Sequence, residues 1–72
     1  MPLINVQMLA GRTADQKATL IRELAQTTRK VLGVPEEALR IILTEVPPEH
    51  WGVGSRSMAQ IRAAPPAGGQ AE

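Results

Sequence analysis

The sequence predicts an α/β protein (α+β in its layering) made of one β-α-β unit, in which two parallel strands are joined by a single long helix. Three observations carry that prediction. A partly alternating apolar stretch runs from Leu3 to Leu9, an amphipathic pattern with start and stop signals covers about residues 14–32, and a near-continuous aliphatic run follows at residues 39–46. A strand, a helix and a strand in that order form a crossover unit, and such connections are right-handed and join parallel strands.

The first stretch places Leu3, Ile4, Val6, Met8 and Leu9 around Asn5 and Gln7, a pattern that suits a strand. Ala10-Gly11-Arg12 breaks it. Thr13 has the chemistry of a helix N-cap, and Gln16 three residues later completes a capping box. Leu20, Ile21, Leu24, Val31 and Leu32 then share one helical face with the smaller Ala25 and Thr28. Lys17, Arg22, Glu23, Arg29 and Lys30 occupy the other positions, with basic residues in the last turn, where the helix dipole favours them. Gly33 suits the left-handed residue after a helix, and Pro35 forbids continuation. Pro35-Glu36-Glu37-Ala38 is expected to turn the chain into a second strand, Leu39–Val46, whose unbroken aliphatic character predicts burial on both faces. Pro47-Pro48 ends it. Trp51-Gly52-Val53-Gly54 suits a tight loop or a short C-terminal hairpin. Residues 1–62 thus form one domain, and residues 63–72, rich in Ala, Pro and Gly, are expected to be a flexible tail.

Composition limits what this unit can be. A chain of 72 residues buries only about 60% of its unfolded surface, so its core is marginal. There is no cysteine and one histidine, His50, which excludes a disulfide framework and a thiolate metal site, and no cofactor or metal is expected. Hydrophobic residues make up 43%, yet there is no Phe, no Tyr and a single Trp, so the core must be aliphatic and thin. Two strands and one helix leave a sheet face uncovered, and a two-stranded sheet is marginal in water. Self-association is the remaining stabiliser. A net charge of +1 gives no argument for nucleic acid or a membrane surface. No stretch approaches the roughly 20 apolar residues of a transmembrane helix, and no signal peptide opens the chain, so a cytoplasmic location is expected.

Pro2 is the candidate for chemistry. If Met1 is removed, the chain begins with a secondary amine anchored by the first residues of a strand. An α-amino group has a reference pKa of roughly 7.7–8.0, and partial burial or nearby arginines push it down by disfavouring the charged form. A general base works best near the operating pH. The plain alternative is that Pro2 is only a small second residue that favours methionine removal.

Met1-Pro2, Gly11-Arg12-Thr13, the capped helix, Arg40 at the head of the second strand and Trp51-Gly52-Val53-Gly54 occur together at fixed spacings over roughly residues 2–62. That arrangement resembles the 4-oxalocrotonate tautomerase family, the small tautomerases with an N-terminal proline. The resemblance implies a homo-oligomer, a hexamer of three dimers, each dimer sharing a four-stranded sheet. It implies that Pro2 is the base and that Arg12 holds a distal carboxylate. It further implies that Arg40, from a neighbouring subunit, contacts the other carboxylate end and stabilises charge on the 2-oxygen. Trp51 would wall the pocket, and the backbone near Leu9 would bind an ordered water or an oxygen atom. Trp51 stands where phenylalanine is more usual, and Ala38 where some members carry a hydroxyl.

The implied activity is a cofactor-free tautomerase that moves a proton between oxygen and carbon of a 2-hydroxydienoate such as 2-hydroxymuconate, a small unsaturated oxo or hydroxy (di)carboxylate. A biosynthetic tautomerase acting on another oxo-acid or a hydropyrrole is the nearest alternative. Dehalogenation or hydration would need a carboxylate to activate water, with Glu45 or Glu49 on offer. A non-catalytic oligomeric protein is the reading in which Pro2 is incidental. Taken singly, Arg12 could be solvated, Arg40 could pair with Glu36 or Glu37, Trp51 could be core or interface, and His50, Arg22, Arg29, Arg56 and Arg62 suit surfaces.

Overall fold

In a computed structural model that describes residues 2–63, strand β1 (Leu3–Leu9) and strand β2 (Arg40–Val46) flank helix α1 (Ala14–Leu32). The expected tail lies, from residue 64 onward, outside the described residues. β1 and β2 pair in parallel, with Leu3 opposite Arg40 and Leu9 opposite Val46. The parallel register follows from a crossover that must carry the chain back along the sheet before β2 begins.

Helix α1 begins as its sequence signals. The Thr13 hydroxyl accepts from the Gln16 N–H at 3.0 Å, and the Gln16 side chain accepts from the Thr13 N–H at 3.0 Å. At the other end Gly33 takes φ 69°, a left-handed conformation that glycine adopts without a Cβ penalty, and its N–H bonds to the Arg29 carbonyl. The sheet-facing stripe is Lys17, Leu20, Leu24, Ala25 and Thr28, all half-buried. Ile21, Val31 and Leu32, expected on the buried face, are exposed, Val31 at 73%. Ile21 lies to one side of the stripe, and Val31 and Leu32 sit in the last turn.

Only one face of the sheet is covered. Ile4, Val6, Met8, Ile41 and Leu43 are half-buried, while Leu3, Asn5, Gln7, Arg40, Ile42 and Thr44 are exposed. The alternation along β2 corrects the expectation of burial on both faces, because one helix can screen one side only. Among the described residues, only Leu39 and Met58 are buried, each at 8% exposure, and no side chain is completely enclosed. So thin an interior matches the aliphatic, marginal core that the composition predicts.

After β2, a 3-10 turn at Pro48–His50 leads into a hairpin of β3 (Gly52–Val53) and β4 (Arg56–Ser57), which settles the loop-or-hairpin alternative in favour of the hairpin. Gly54, at φ 63°, supplies the left-handed residue of the turn. A short helix α2 (Met58–Ala63) follows, which the sequence reading did not anticipate. It starts with a second capping box, in which the Ser57 hydroxyl accepts from the Gln60 N–H at 3.1 Å and Gln60 Oε1 from the Ser57 N–H at 2.9 Å. Ser57 and Gln60 have the same spacing as Thr13 and Gln16, so the signal was present in the sequence.

Candidate active site

The expected site residues separate into two groups at opposite ends of the β1–β2 sheet. Pro2 and Arg40 lie where both strands begin. The Pro2 carbonyl accepts from the Arg40 N–H at 3.1 Å, which makes this pair the first rung of the ladder. Pro2 is half-buried, and its ring restricts φ, so a nitrogen at this position has little freedom to wander.

Arg40 is held at its tip as well. Its Nη1 donates to the Glu37 carbonyl at 2.8 Å and to the Leu39 carbonyl at 2.9 Å. The alternative pairing with a carboxylate of Glu36 or Glu37 does not form among the described residues: Glu37 contributes its backbone oxygen, and Glu36 lies 3.7 Å from Arg29. These residues belong to a 3-10 turn, Glu36–Ala38, in which the half-buried Ala38 donates to the Pro35 carbonyl at 3.0 Å.

Leu9, Arg12 and Trp51 lie where the strands end. Arg12 is exposed between Gly11 and the N-cap Thr13, and its side chain makes no hydrogen bond or ion pair among the described residues. Trp51 is half-buried, and its carbonyl accepts from the Met58 N–H at 2.7 Å, which ties the residue to the start of α2. The bonds at the two limits of the ladder, Arg40 N–H to Pro2 and Ala10 N–H to Val46 at 3.0 Å, use even-numbered residues of the first strand segment. A parallel ladder then directs the N–H and C=O of Leu3, Asn5, Gln7 and Leu9 to the outer edge of β1. Leu9 thus carries main-chain polar groups without a partner in β2.

Seven residues at about 3.3 Å each put roughly 23 Å between the two ends. One protomer therefore cannot bring Arg12 or Trp51 to its own Pro2. A single chain places the main chain of Arg40 beside Pro2, with the guanidinium on the Glu37 and Leu39 carbonyls, and holds Arg12 far away.

The remaining candidates are surface groups or structural partners. Glu45 forms an ion pair with Lys17 at 3.2 Å on the helix-covered face, a partner that sequence reasoning missed although Lys17 stands on the sheet-facing stripe. Glu49 and His50 are exposed. Arg22 lies 3.9 Å from Glu23, and Arg56 donates to the Gln60 carbonyl at 3.2 Å. Among the described residues no group of three or more His, Asp or Glu is placed to hold a metal ion, and no helix is long and apolar enough to cross a membrane. A surface depression of about 430 Å³ at the end of α1, lined by Gln26, Arg29, Lys30, Gly33 and Val34, contains none of the expected site residues.

Known proteins share this fold. Residues 2–60 match the family model described as tautomerase enzyme. The chain is 36% identical over 62 residues to the 2-hydroxymuconate tautomerase of a Pseudomonas species, covering 86% of this chain and 98% of that protein. Among solved structures it is similar to TomN, a 4-oxalocrotonate tautomerase homologue in the tomaymycin biosynthetic pathway, with 46% identity, a TM-score of 0.83 and coverage of 88% of this chain and 97% of that one. It is similar also to a heterohexameric 4-oxalocrotonate tautomerase from Chloroflexus aurantiacus, with 45% identity, a TM-score of 0.79 and coverage of 86% and 100%.

Proposed function

The chain belongs to the tautomerase family of enzymes, in its 4-oxalocrotonate tautomerase branch, and from that premise we propose that it isomerises a 2-hydroxydienoate such as 2-hydroxymuconate with Pro2 as general base. The amine of Pro2, exposed by loss of Met1, takes the proton from the 2-hydroxyl oxygen and returns it to carbon, leaving the conjugated 2-oxo acid. No electrons are gained or lost, so neither an oxidant nor a cofactor enters the balance. The single observation that supports this reading most is the hydrogen bond between the Pro2 carbonyl and the Arg40 N–H, which anchors the terminal residue to the first rung of the sheet, at the end where Arg40 also begins its strand. An Arg40 guanidinium brought to the amine by a neighbouring copy would both disfavour its protonation and stabilise the dienolate.

The site is completed by other copies. Arg12 and Trp51 reach a Pro2 only if a neighbouring chain runs its β1 in the opposite direction, which the open polar edge of β1 permits. An antiparallel β1–β1 contact joins two β-α-β units into four strands. The uncovered face, with Leu3 at 59% and Ile42 at 48% exposure, then needs further copies against it, as in a hexamer of three dimers. Arg12 next to the N-terminus of α1 supplies a fork for the distal carboxylate of a dicarboxylate substrate.

The test is turnover of the dienol by protein whose intact mass shows Met1 removed. Ultraviolet decay at the buffer rate would sink the proposal. A second reading, a biosynthetic tautomerase acting on another oxo-acid or hydropyrrole, is favoured by the 46% identity to TomN. A monocarboxylate analogue turned over faster than the dicarboxylate would select it.

A further inference from the structure

We propose that the 3-10 turn Glu36–Ala38 is the positioning element of this site, holding the Arg40 guanidinium through two backbone carbonyls so that Arg40 meets its substrate by its Nε–Nη2 edge alone. The inference rests on the reading of Arg40 as the group that stabilises charge beside Pro2.

A guanidinium offers five N–H donors in one rigid plane, two of them on Nη1. The carbonyls of Glu37 and Leu39, at 2.8 Å and 2.9 Å from Nη1, match those two hydrogens. The donors left are Nε–H and the pair on Nη2, and one Nη2 hydrogen runs parallel to Nε–H. That edge fits two oxygens held in a plane, either both of a carboxylate or one carboxylate oxygen and the adjacent 2-oxygen of a 2-oxo acid. An end-on approach to Nη1 and Nη2 together is closed, because the protein's own main chain occupies Nη1.

The turn is fixed from several directions. Pro35 stands at its head with φ −71°. Ala38 donates to Pro35 at 3.0 Å, and Leu39 donates to Glu36 at 3.1 Å. Arg29, in the last turn of α1, lies 3.7 Å from Glu36. Arg40 is then held twice, by Pro2 at its main chain and by the turn at its tip, so the guanidinium keeps a fixed place relative to the start of β2. Arg12 has no comparable support among the described residues. Pro35 and the turn are positioning residues, and they act through Arg40.

The experiment is a double-mutant cycle on processed enzyme, with kcat and KM measured for Pro35→Gly, Arg40→Ala and the pair. Pro35→Gly alone is expected to lower kcat by about 10- to 100-fold with KM changed less than about threefold, the signature of a misaimed group that acts in the transition state. In the Arg40→Ala background Pro35→Gly should cost nothing further. Pro35→Ala, which can hold the native φ, should recover most of the loss. Wild-type kcat in Pro35→Gly, or an equal loss in both backgrounds, would overturn the proposal while leaving Arg40 in its role. Wild-type kcat in Arg40→Ala would instead overturn the reading of Arg40 and this inference with it. A readout that needs no variant is the guanidinium NMR spectrum of the processed enzyme. Separately resolved Nη1 protons for Arg40, against averaged ones for Arg12, are expected, and averaging at Arg40 would refute the hold.

Discussion

The two ends of the β1–β2 sheet are built differently. Where the strands begin, Pro2, Arg40 and the Glu36–Ala38 turn form a connected set of hydrogen bonds between 2.8 and 3.1 Å, two of them donated by the Arg40 side chain to main-chain carbonyls. Where the strands end, the exposed Arg12 side chain has no partner among the described residues, and Trp51 is half-buried. A group that must stabilise charge as it develops gains from being fixed beforehand, since it then costs no reorganisation during the reaction. A group that binds the far end of a substrate gains nothing from that in kcat, because uniform binding lowers KM only. The stiff end suits chemistry, and the loose end suits recognition.

Blocking the amine should have the largest effect at the stiff end. Protein that retains Met1 has a tertiary amide at Pro2, which has no basic lone pair. Such material should lose the roughly 10²–10⁴-fold that a general base contributes, read as dienol decay alongside processed protein. Full activity with the nitrogen blocked would remove chemistry from this end and erase the contrast.

The two arginines then separate the ends directly. Arg40→Ala should lower kcat by about 10²–10³-fold, comparable to losing a donor that stabilises an oxyanion. Arg12→Ala should act mainly on KM, with kcat/KM down about 10- to 100-fold, the size of one charge-assisted hydrogen bond. Light scattering should show both variants assembled like the wild type. Equal kcat losses for the two would mean that the ends do not divide the labour.

Most of this architecture was legible in the sequence, and the failures have physical causes. Leu3–Leu9 and the helix over 14–32 were readable because alternation, a capping box and a Gly33 stop all agree, and local signals that agree are seldom overridden. The aliphatic run at Leu39–Val46 gave a strand but misled about its faces. Ile42 is apolar yet exposed, since one helix covers one face of the sheet only. Helix α2 was missed because six residues with only Met58 and Ile61 as large apolar positions produce little periodicity, although Ser57 and Gln60 marked its start. The residues expected to form the site, Pro2, Leu9, Arg12, Arg40 and Trp51, could be named from spacing and resemblance. Their division between two ends of the sheet follows from parallel strands with Pro2 and Arg40 at their heads, while the pairing of Leu3 with Arg40 appears only once the strands are in register. The use of the Glu37 and Leu39 carbonyls could not be read, since every residue carries one.

Smaller effects probe the loose end through its supports. Thr13 caps α1 directly after Arg12, and Thr13→Ala should cost about 1 kcal/mol. Ser57→Ala removes the same bond from a helix of six residues and should cost less. Denaturant midpoints at one fixed protein concentration will rank the two, since any assembly would contribute to both. A larger loss at Ser57 would mean that the hairpin and α2, rather than α1, anchor the end that carries Trp51.

The smallest expected effect belongs to the pair Lys17–Glu45, which joins α1 to β2 near the same end at 3.2 Å with side chains 31% and 34% exposed. Water reaches both groups, so the coupling from a cycle of Lys17→Met and Glu45→Gln should stay below about 1 kcal/mol and weaken with added salt. Glu45→Gln should leave kcat within about threefold of the wild type, because a structural surface pair contributes no transition-state interaction. This weak pair also bears on the reaction class. Hydration or dehalogenation needs a carboxylate to activate water, and Glu45 is one of the two carboxylates weighed for that role. A collapse of kcat in Glu45→Gln with the assembly intact would place chemistry at the end assigned here to recognition.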